Sequence, residues 1–204
     1  MAIVATKMDQ IVVHPAITKE LEKLEPTMDI MGYNYMTMRY LKDAKDYPQR
    51  IFVGTETYPK QIYQNYQCMK QSKAVIGDFT WTGFDYLGEV GNYPKLINEG
   101  GDVSFLGERR PISYYRELVF EKTKQPYMAI RKPDHPRMFG PWKMSDATPF
   151  YDYQEGELVS VEVYSSASKV ELFLNDISLG IKEPVETTAF YDVNYQAGKL
   201  EVKA

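Results

Sequence analysis

Three strand-like apolar runs, Met28–Tyr35, Ile51–Glu56 and Ala74–Trp81, begin at residues 28, 51 and 74, a constant spacing of 23 residues. Between them lie polar segments compatible with helix. Met38–Lys45 offers Leu41 and Ala44, and Lys60–Gln71 places Ile62, Tyr66 and Met69 on one helical face. Ala16–Leu24 precedes the first run with Ile17, Leu21 and Leu24 in phase; Ile112–Phe120 follows the third with Ile112, Tyr115 and Val119 turned inward. An α-β-α-β-α-β-α order needs long crossovers, so the strands are parallel and the crossovers right-handed. The runs are apolar almost throughout, which predicts a sheet covered on both faces. Three strands do not close a barrel. The pattern fits either a small open sheet or the last part of a (β/α)8 barrel.

After residue 124 the pattern changes. Pro126, Pro133, Pro136, Pro141 and Pro149 interrupt any long helix or central strand, so this stretch reads as connector. Beyond it, Leu158–Tyr164, Val170–Leu174 and Lys199–Lys203 alternate as antiparallel strands of a β-sandwich do. Ser165–Lys169 predicts a hairpin turn and Asn175-Asp176 a second turn. Four or five strands are expected here, against about seven in a complete sandwich. The fold class is therefore α/β followed by all-β. The α/β part takes residues 1–124, the connector 125–156 and a partial sandwich 157–204. The chain reads as ending inside a domain, and the strand-like stretch Ile3–Val13 at its start belongs to no element of the pattern.

Composition removes several classes of function. A net charge of −4 with mixed signs gives no basic stripe, so nucleic acid is not an expected partner. No apolar run approaches the ~18 residues of a membrane helix, and the N-terminus has no signal-peptide pattern; the compartment stays open. One cysteine, Cys68, excludes an internal disulfide and a cysteine-built zinc cage, and reads as a small packing residue. The two histidines, His14 and His135, each adjoin a proline and lie far apart, which argues against a Ser-His-Asp triad or a histidine-rich metal site. Neither metal nor cofactor is expected. Any catalysis must run on carboxylates. The 17 tyrosines suit carbohydrate stacking and ordinary packing equally.

Glu56 is the foremost carboxylate candidate. The run Ile51-Phe-Val-Gly-Thr-Glu56 drives into it just before Pro59 opens a helix. Parallel α/β folds gather reactive groups at the carboxyl ends of their strands. Asn34-Tyr35 closes the preceding run and Trp81 the following one, so an amide, a phenol and an indole would share that rim, a set suited to a sugar. Each residue has a plainer reading. A strand-end glutamate is more often solvated or salt-bridged than nucleophilic, and Trp81 and Tyr35 are equally at home in a core.

Asp29-Ile-Met-Gly-Tyr-Asn-Tyr-Met36, Gly54-Thr-Glu-Thr57 and Gly77-Asp-Phe-Thr-Trp-Thr-Gly-Phe-Asp-Tyr-Leu-Gly-Glu89 together resemble glycoside hydrolase family 2, the β-galactosidases, β-glucuronidases and β-mannosidases. In order and spacing they are similar to barrel strands six, seven and eight, and the tail resembles the immunoglobulin-like domain that comes after the barrel. The resemblance runs from about Met28 to Ala204. It implies a retaining β-glycosidase with Glu56 as nucleophile, Tyr35 donating a hydrogen bond to it, Trp81 walling the sugar site and Asn34 bonding a sugar hydroxyl. Asp85 and Glu89 are expected to order their loop, Tyr33 and Phe84 to pack, and His135 and Trp142 to anchor a domain interface.

The chain departs from that family in one respect. The family's acid/base glutamate comes after an asparagine at the end of barrel strand four, which would lie upstream of Met1. The single Asn-Glu pair, Asn98-Glu99, falls in a glycine-rich loop. The expectation is half of a catalytic pair, inactive alone, that self-associates through exposed strand edges. Family glucuronidases use an Asn-x-Lys motif, absent here, so a neutral β-hexoside with galactose first is the expected carbohydrate. The rival reading is a non-catalytic carbohydrate-binding or interaction module built on Trp81, Tyr35 and the tyrosine-rich loops.

Overall fold

The computed structural model describes residues 11–133, 142 and 144–204. His135 and residues 3–10 of the Ile3–Val13 stretch lie outside the described residues, and Ile11-Val12 is helical. The chain divides into two compact units: Met1–Gly83 with Gly140–Lys143, and Phe84–Phe139 with Met144–Ala204.

The first unit runs α1 (Pro15–Leu24), β1 (Ile30–Asn34), α2 (Tyr40–Asp46), β2 (Ile51–Thr57), α3 (Ile62–Gln71) and β3 (Val75–Thr80). The strands form a parallel sheet in the order β1-β2-β3. Pro59 starts the 3₁₀ turn Pro59–Gln61 that leads into α3, a place where a missing N–H costs nothing. Met31, Tyr33, Tyr40, Phe52, Cys68 and Val75 make one core, so helices α2 and α3 cover a single face of the sheet. The other face presents Ile30, Ile51 and Ile76, all exposed. The expected double cover is therefore corrected: among the described residues of this unit no element packs on that side, and its isoleucines are exposed. Helix α3 buries the expected Ile62 together with Asn65 and Cys68, and of the other two expected residues Met69 packs partly buried against the core while Tyr66 is only half-buried. Asn65 goes inside because the core holds its polar partners: it accepts from Thr37 Oγ1 at 2.7 Å and donates to Asp78 Oδ1 at 3.0 Å.

Between Gly54 and Thr57, strand β2 carries one residue more than the stretches of β1 and β3 that it faces. Tyr33 faces Gly54 but Asn34 faces Glu56, and on the other side Gly54 faces Asp78 while Thr57 faces Thr80. The extra residue is a β-bulge, and beyond it the inside–outside phase of the strand is reversed. Thr57 takes the buried face of Phe52 and Gly54, and Glu56 is turned to the opposite side. Gly54 admits no side chain, since a Cβ there would lie 2.6 Å from Tyr40 Oη and 2.7 Å from Thr57 Cγ2. Both of those side chains are buried and cannot retreat.

The second unit holds the short hairpin β4 (Tyr86–Leu87) and β5 (Ile97–Asn98), helix α4 (Pro111–Val119) and strands β6 (Tyr127–Arg131), β7 (Leu158–Tyr164), β8 (Val170–Leu174), β9 (Ile177–Lys182), β10 (Thr188–Asn194) and β11 (Leu200–Lys203). Two three-stranded antiparallel sheets result, β10-β7-β6 and β11-β8-β9. Ile130, Val159, Val161 and Val163 of the first share one core with Val170, Leu172 and Leu174 of the second. Asn175 and Asp176 join β8 to β9 with positive φ at both positions, the two-residue turn that matches strand twist. Ser165–Lys169 is not a hairpin turn: β7 and β8 belong to different sheets, so that loop crosses the core.

Part of the expected connector is structural. Tyr127–Arg131 pairs with β7, and its prolines flank the strand instead of interrupting it. Helix α4 also sits in this unit, not with the parallel sheet, because Tyr115 packs edge-on to Tyr164 and donates to the Glu186 carbonyl at 2.9 Å. The second face of β7 is buried and polar. Glu162 accepts from Arg131 Nε at 2.8 Å, Ser145 Oγ at 2.9 Å and Tyr164 Oη at 2.8 Å.

Unfolding measurements test both units. Arg131→Met leaves the Glu162 carboxylate buried without its cation and should cost about 3–5 kcal/mol, read from the urea midpoint of the second unit; an unshifted midpoint would show the pair contributes nothing. Gly54→Ala forces β2 away from Tyr40 and should destabilise the first unit by about 1–3 kcal/mol, with a lowered thermal midpoint as the measurement.

Candidate active site

Glu56 stands at the carboxyl end of β2, turned off the packed face by the bulge and half-buried. The end of β1 lies directly beside it. Tyr35 donates its phenolic proton to Glu56 Oε1, and its backbone N–H donates to the Glu56 carbonyl at 2.7 Å. Asn34 Nδ2 points to Glu56 Oε2 at 3.4 Å, and Asn34 Oδ1 accepts from Thr55 Oγ1 at 2.7 Å. Of the four residues singled out in the sequence, three are thus joined by hydrogen bonds. Trp81, just past β3, is tied in by its backbone N–H, which donates to the Thr57 carbonyl at 3.0 Å; the residue is 38% exposed.

The two carboxylate oxygens are not equivalent. Oε1 receives the phenol proton of Tyr35, whereas the contact of Oε2 with Asn34 is long and weak. Oε2 is the freer oxygen. Tyr35 adopts a left-handed backbone with φ 57°, which lets its amide and its hydroxyl both reach Glu56. Burial raises the Tyr35 phenol well above the ordinary tyrosine range; the Glu56 bond raises it further and the hydrogen bond from Trp142 lowers it in part. The phenol consequently stays protonated and remains a donor over the whole neutral range.

Two aromatic residues complete the surroundings of Tyr35, and sequence reasoning gave neither a place here. Tyr58 stacks on Tyr35 with centroids 4.1 Å apart. Trp142 lies edge-on to Tyr35 and Tyr58 at 5.9 and 5.2 Å, and its Nε1 donates to Tyr35 Oη at 3.0 Å. It is separated from Tyr35 by more than a hundred residues along the chain and no local pattern marks the pairing. Behind the sheet, Tyr33 donates to Asp43 Oδ2 at 2.6 Å, and Arg39 Nε donates to the same oxygen at 2.7 Å. This buried triad anchors the β1 end from below.

The remaining acidic residues named in the sequence act elsewhere. Asp85 orders its loop, accepting from the Gly101 N–H at 3.1 Å and pairing with Arg110. Glu89 accepts from Tyr86 Oη at 2.6 Å. Glu99 is on the surface, 3.5 Å from Lys95 Nζ. Among the described residues no group of three or more His, Cys, Asp or Glu is placed to hold a metal ion, and no helix is long and apolar enough to cross a membrane.

Comparison with known proteins gives three findings. A family described as a domain of unknown function, DUF4982, matches residues 156–204. A Formosa agariphila protein named "Putative beta-glucuronidase" is 31% identical over 144 residues, 67% of this chain and 12% of its own length. Two solved structures of glycosyl hydrolase family 2 members from Bacteroides cellulosilyticus are 32% and 33% identical, with TM-scores of 0.80 and 0.76; each match covers 93% of this chain and 27% or 25% of the other. The chain spans about an eighth of the length of the curated relative and about a quarter of the solved ones. With the likeness extending through both units, the chain belongs to glycoside hydrolase family 2.

Proposed function

We propose that this chain carries the nucleophile half of a retaining β-glycosidase site. The observation that carries the reading is the strand-end Glu56 carboxylate held by Tyr35 on one oxygen and met only by a long Asn34 contact on the other. In a retaining reaction Glu56 Oε2 attacks the anomeric carbon, the glycosidic C–O bond breaks, and the leaving oxygen takes a proton from a second carboxylic acid about 5–5.5 Å away. Water then attacks the glycosyl ester, the second carboxylate takes the water's proton, and Glu56 leaves as carboxylate. The Tyr35 proton keeps Glu56 ionised and holds Oε1 still while Oε2 reacts. Asn34 has one amide N–H left for a sugar hydroxyl. Trp81 supplies an apolar wall to the bound ring.

The parallel sheet is read as strands six to eight of a (β/α)8 barrel and the paired antiparallel sheets as part of an immunoglobulin-like domain. The exposed face of Ile30, Ile51 and Ile76 supports this, since the interior of a barrel is apolar and lined by alternate residues. The second carboxylic acid belongs to another strand of that barrel. Glu99, the residue nearest in motif, pairs with a lysine on the surface instead. On this reading the 204-residue chain alone turns over no glycoside.

The sugar is proposed to be a neutral β-hexoside, galactose first, because no Asn-x-Lys motif is present to neutralise a sugar carboxylate. The name of the Formosa agariphila relative favours a β-glucuronide as the second reading. Two measurements decide these points. In a full-length enzyme containing this segment, an activated 2-fluoro-glycoside should label Glu56, and Glu56→Gln should lower kcat by about 10⁴-fold or more with the fold intact; normal turnover by that variant would remove Glu56 from the mechanism. In the same enzyme the aryl β-galactoside should show the higher kcat/KM; a preference for the aryl β-glucuronide would reverse the assignment of sugar.

A further inference from the structure

The hydrogen bonds around Tyr35 have only one possible direction. An indole N–H donates and never accepts, and a phenol has one proton and two acceptor lone pairs. Since Trp142 Nε1 lies 3.0 Å from Tyr35 Oη, Tyr35 must accept there. Its single proton is then free for Glu56 Oε1, the acceptor within reach. The Trp142 ring also closes the space in which the phenol would swing, standing edge-on to Tyr35 while Tyr58 stacks on it at 4.1 Å. Hydrogen bonds in such a chain polarise one another, so the indole strengthens the donor that Glu56 receives.

We propose that Trp142 is a positioning residue of the active site, which fixes the proton of Tyr35 on Glu56 Oε1 through a one-way Trp142–Tyr35–Glu56 relay. This rests on the reading of Glu56 as the nucleophile, but the relay itself is a structural statement. In this role Trp142 acts through Tyr35, the group its Nε1 contacts. The chain thereby uses a residue far downstream in sequence to hold a carboxylate at the end of β2.

Trp142→Phe keeps an aromatic ring and deletes only the N–H. In a full-length enzyme containing this segment the variant should lose about tenfold in kcat, as for one hydrogen bond to a group on the reaction coordinate, with KM within about twofold. A general packing defect would move both parameters and lower the thermal midpoint. A second measurement does not depend on activity. In the ¹⁵N spectrum of the 204-residue chain, which has two tryptophans, Tyr35→Phe should shift one indole N–H upfield and speed its exchange with water, because its acceptor is gone. The same resonance should disappear in Trp142→Phe. Indole signals indifferent to Tyr35→Phe, or a Trp142→Phe enzyme with wild-type kcat, would overturn the relay. An intact indole response together with an active Glu56→Gln enzyme would instead retain the relay and reject the nucleophile assignment.

Discussion

The site depends on one extra residue. Between Gly54 and Thr57, β2 is longer by one than both of its neighbours, and the phase of its side chains reverses there. Without the bulge, Glu56 would share the packed face of Phe52 and Gly54 and would need a buried partner for its charge. With it, Thr57 fills the core and the carboxylate faces out beside the end of β1. A slip of one position in a strand exchanges its two faces, so this local irregularity decides which side of the sheet Glu56 faces and which side Thr57 packs. Gly54 is the permissive element, because the strand can approach Tyr40 closely only where no Cβ intervenes.

The two faces of the parallel sheet divide the work accordingly. Behind it, Asp43 gathers Tyr33 and Arg39, and Asn65 links Thr37 to Asp78, so the strands are braced by polar networks as well as by apolar contact. Burial raises the Tyr33 phenol and its bond to Asp43 raises it further, which keeps it a donor. On the other face, isoleucines lead up to Asn34 and Glu56 at the strand ends. An apolar face that ends in a polar rim is the arrangement that links this sheet to the proposed barrel and the proposed chemistry.

Much of this was legible in the residues. Regular spacing and apolar content marked the three parallel strands, Pro59 marked the start of a helical segment, and Asn175-Asp176 marked a tight turn. Failures came where tertiary context overrode a local rule. Helix α3 buries Asn65 because polar partners wait for it, so hydrophobic periodicity found Ile62 and Met69 but missed the polar residue between them. The proline-rich stretch conceals β6 because prolines at either end of a five-residue strand look the same as prolines within one. Ser165–Lys169 has turn composition whether the chain folds back on its own sheet or crosses to the other.

Sequence alone settled the chemical inventory: a lone strand-end glutamate between an Asn-Tyr pair and a tryptophan, in a chain poor in cysteine and histidine. Composition and strand-end position are local properties of the polypeptide, which is why they could be read without coordinates. Tertiary structure decided which atoms meet. The bulge that turns Glu56, the left-handed backbone at Tyr35 and the arrival of Trp142 each depend on contacts between residues distant along the chain. No window of neighbouring residues encodes them, since hydrogen-bond direction and side-chain facing are fixed only when separate strands are packed together.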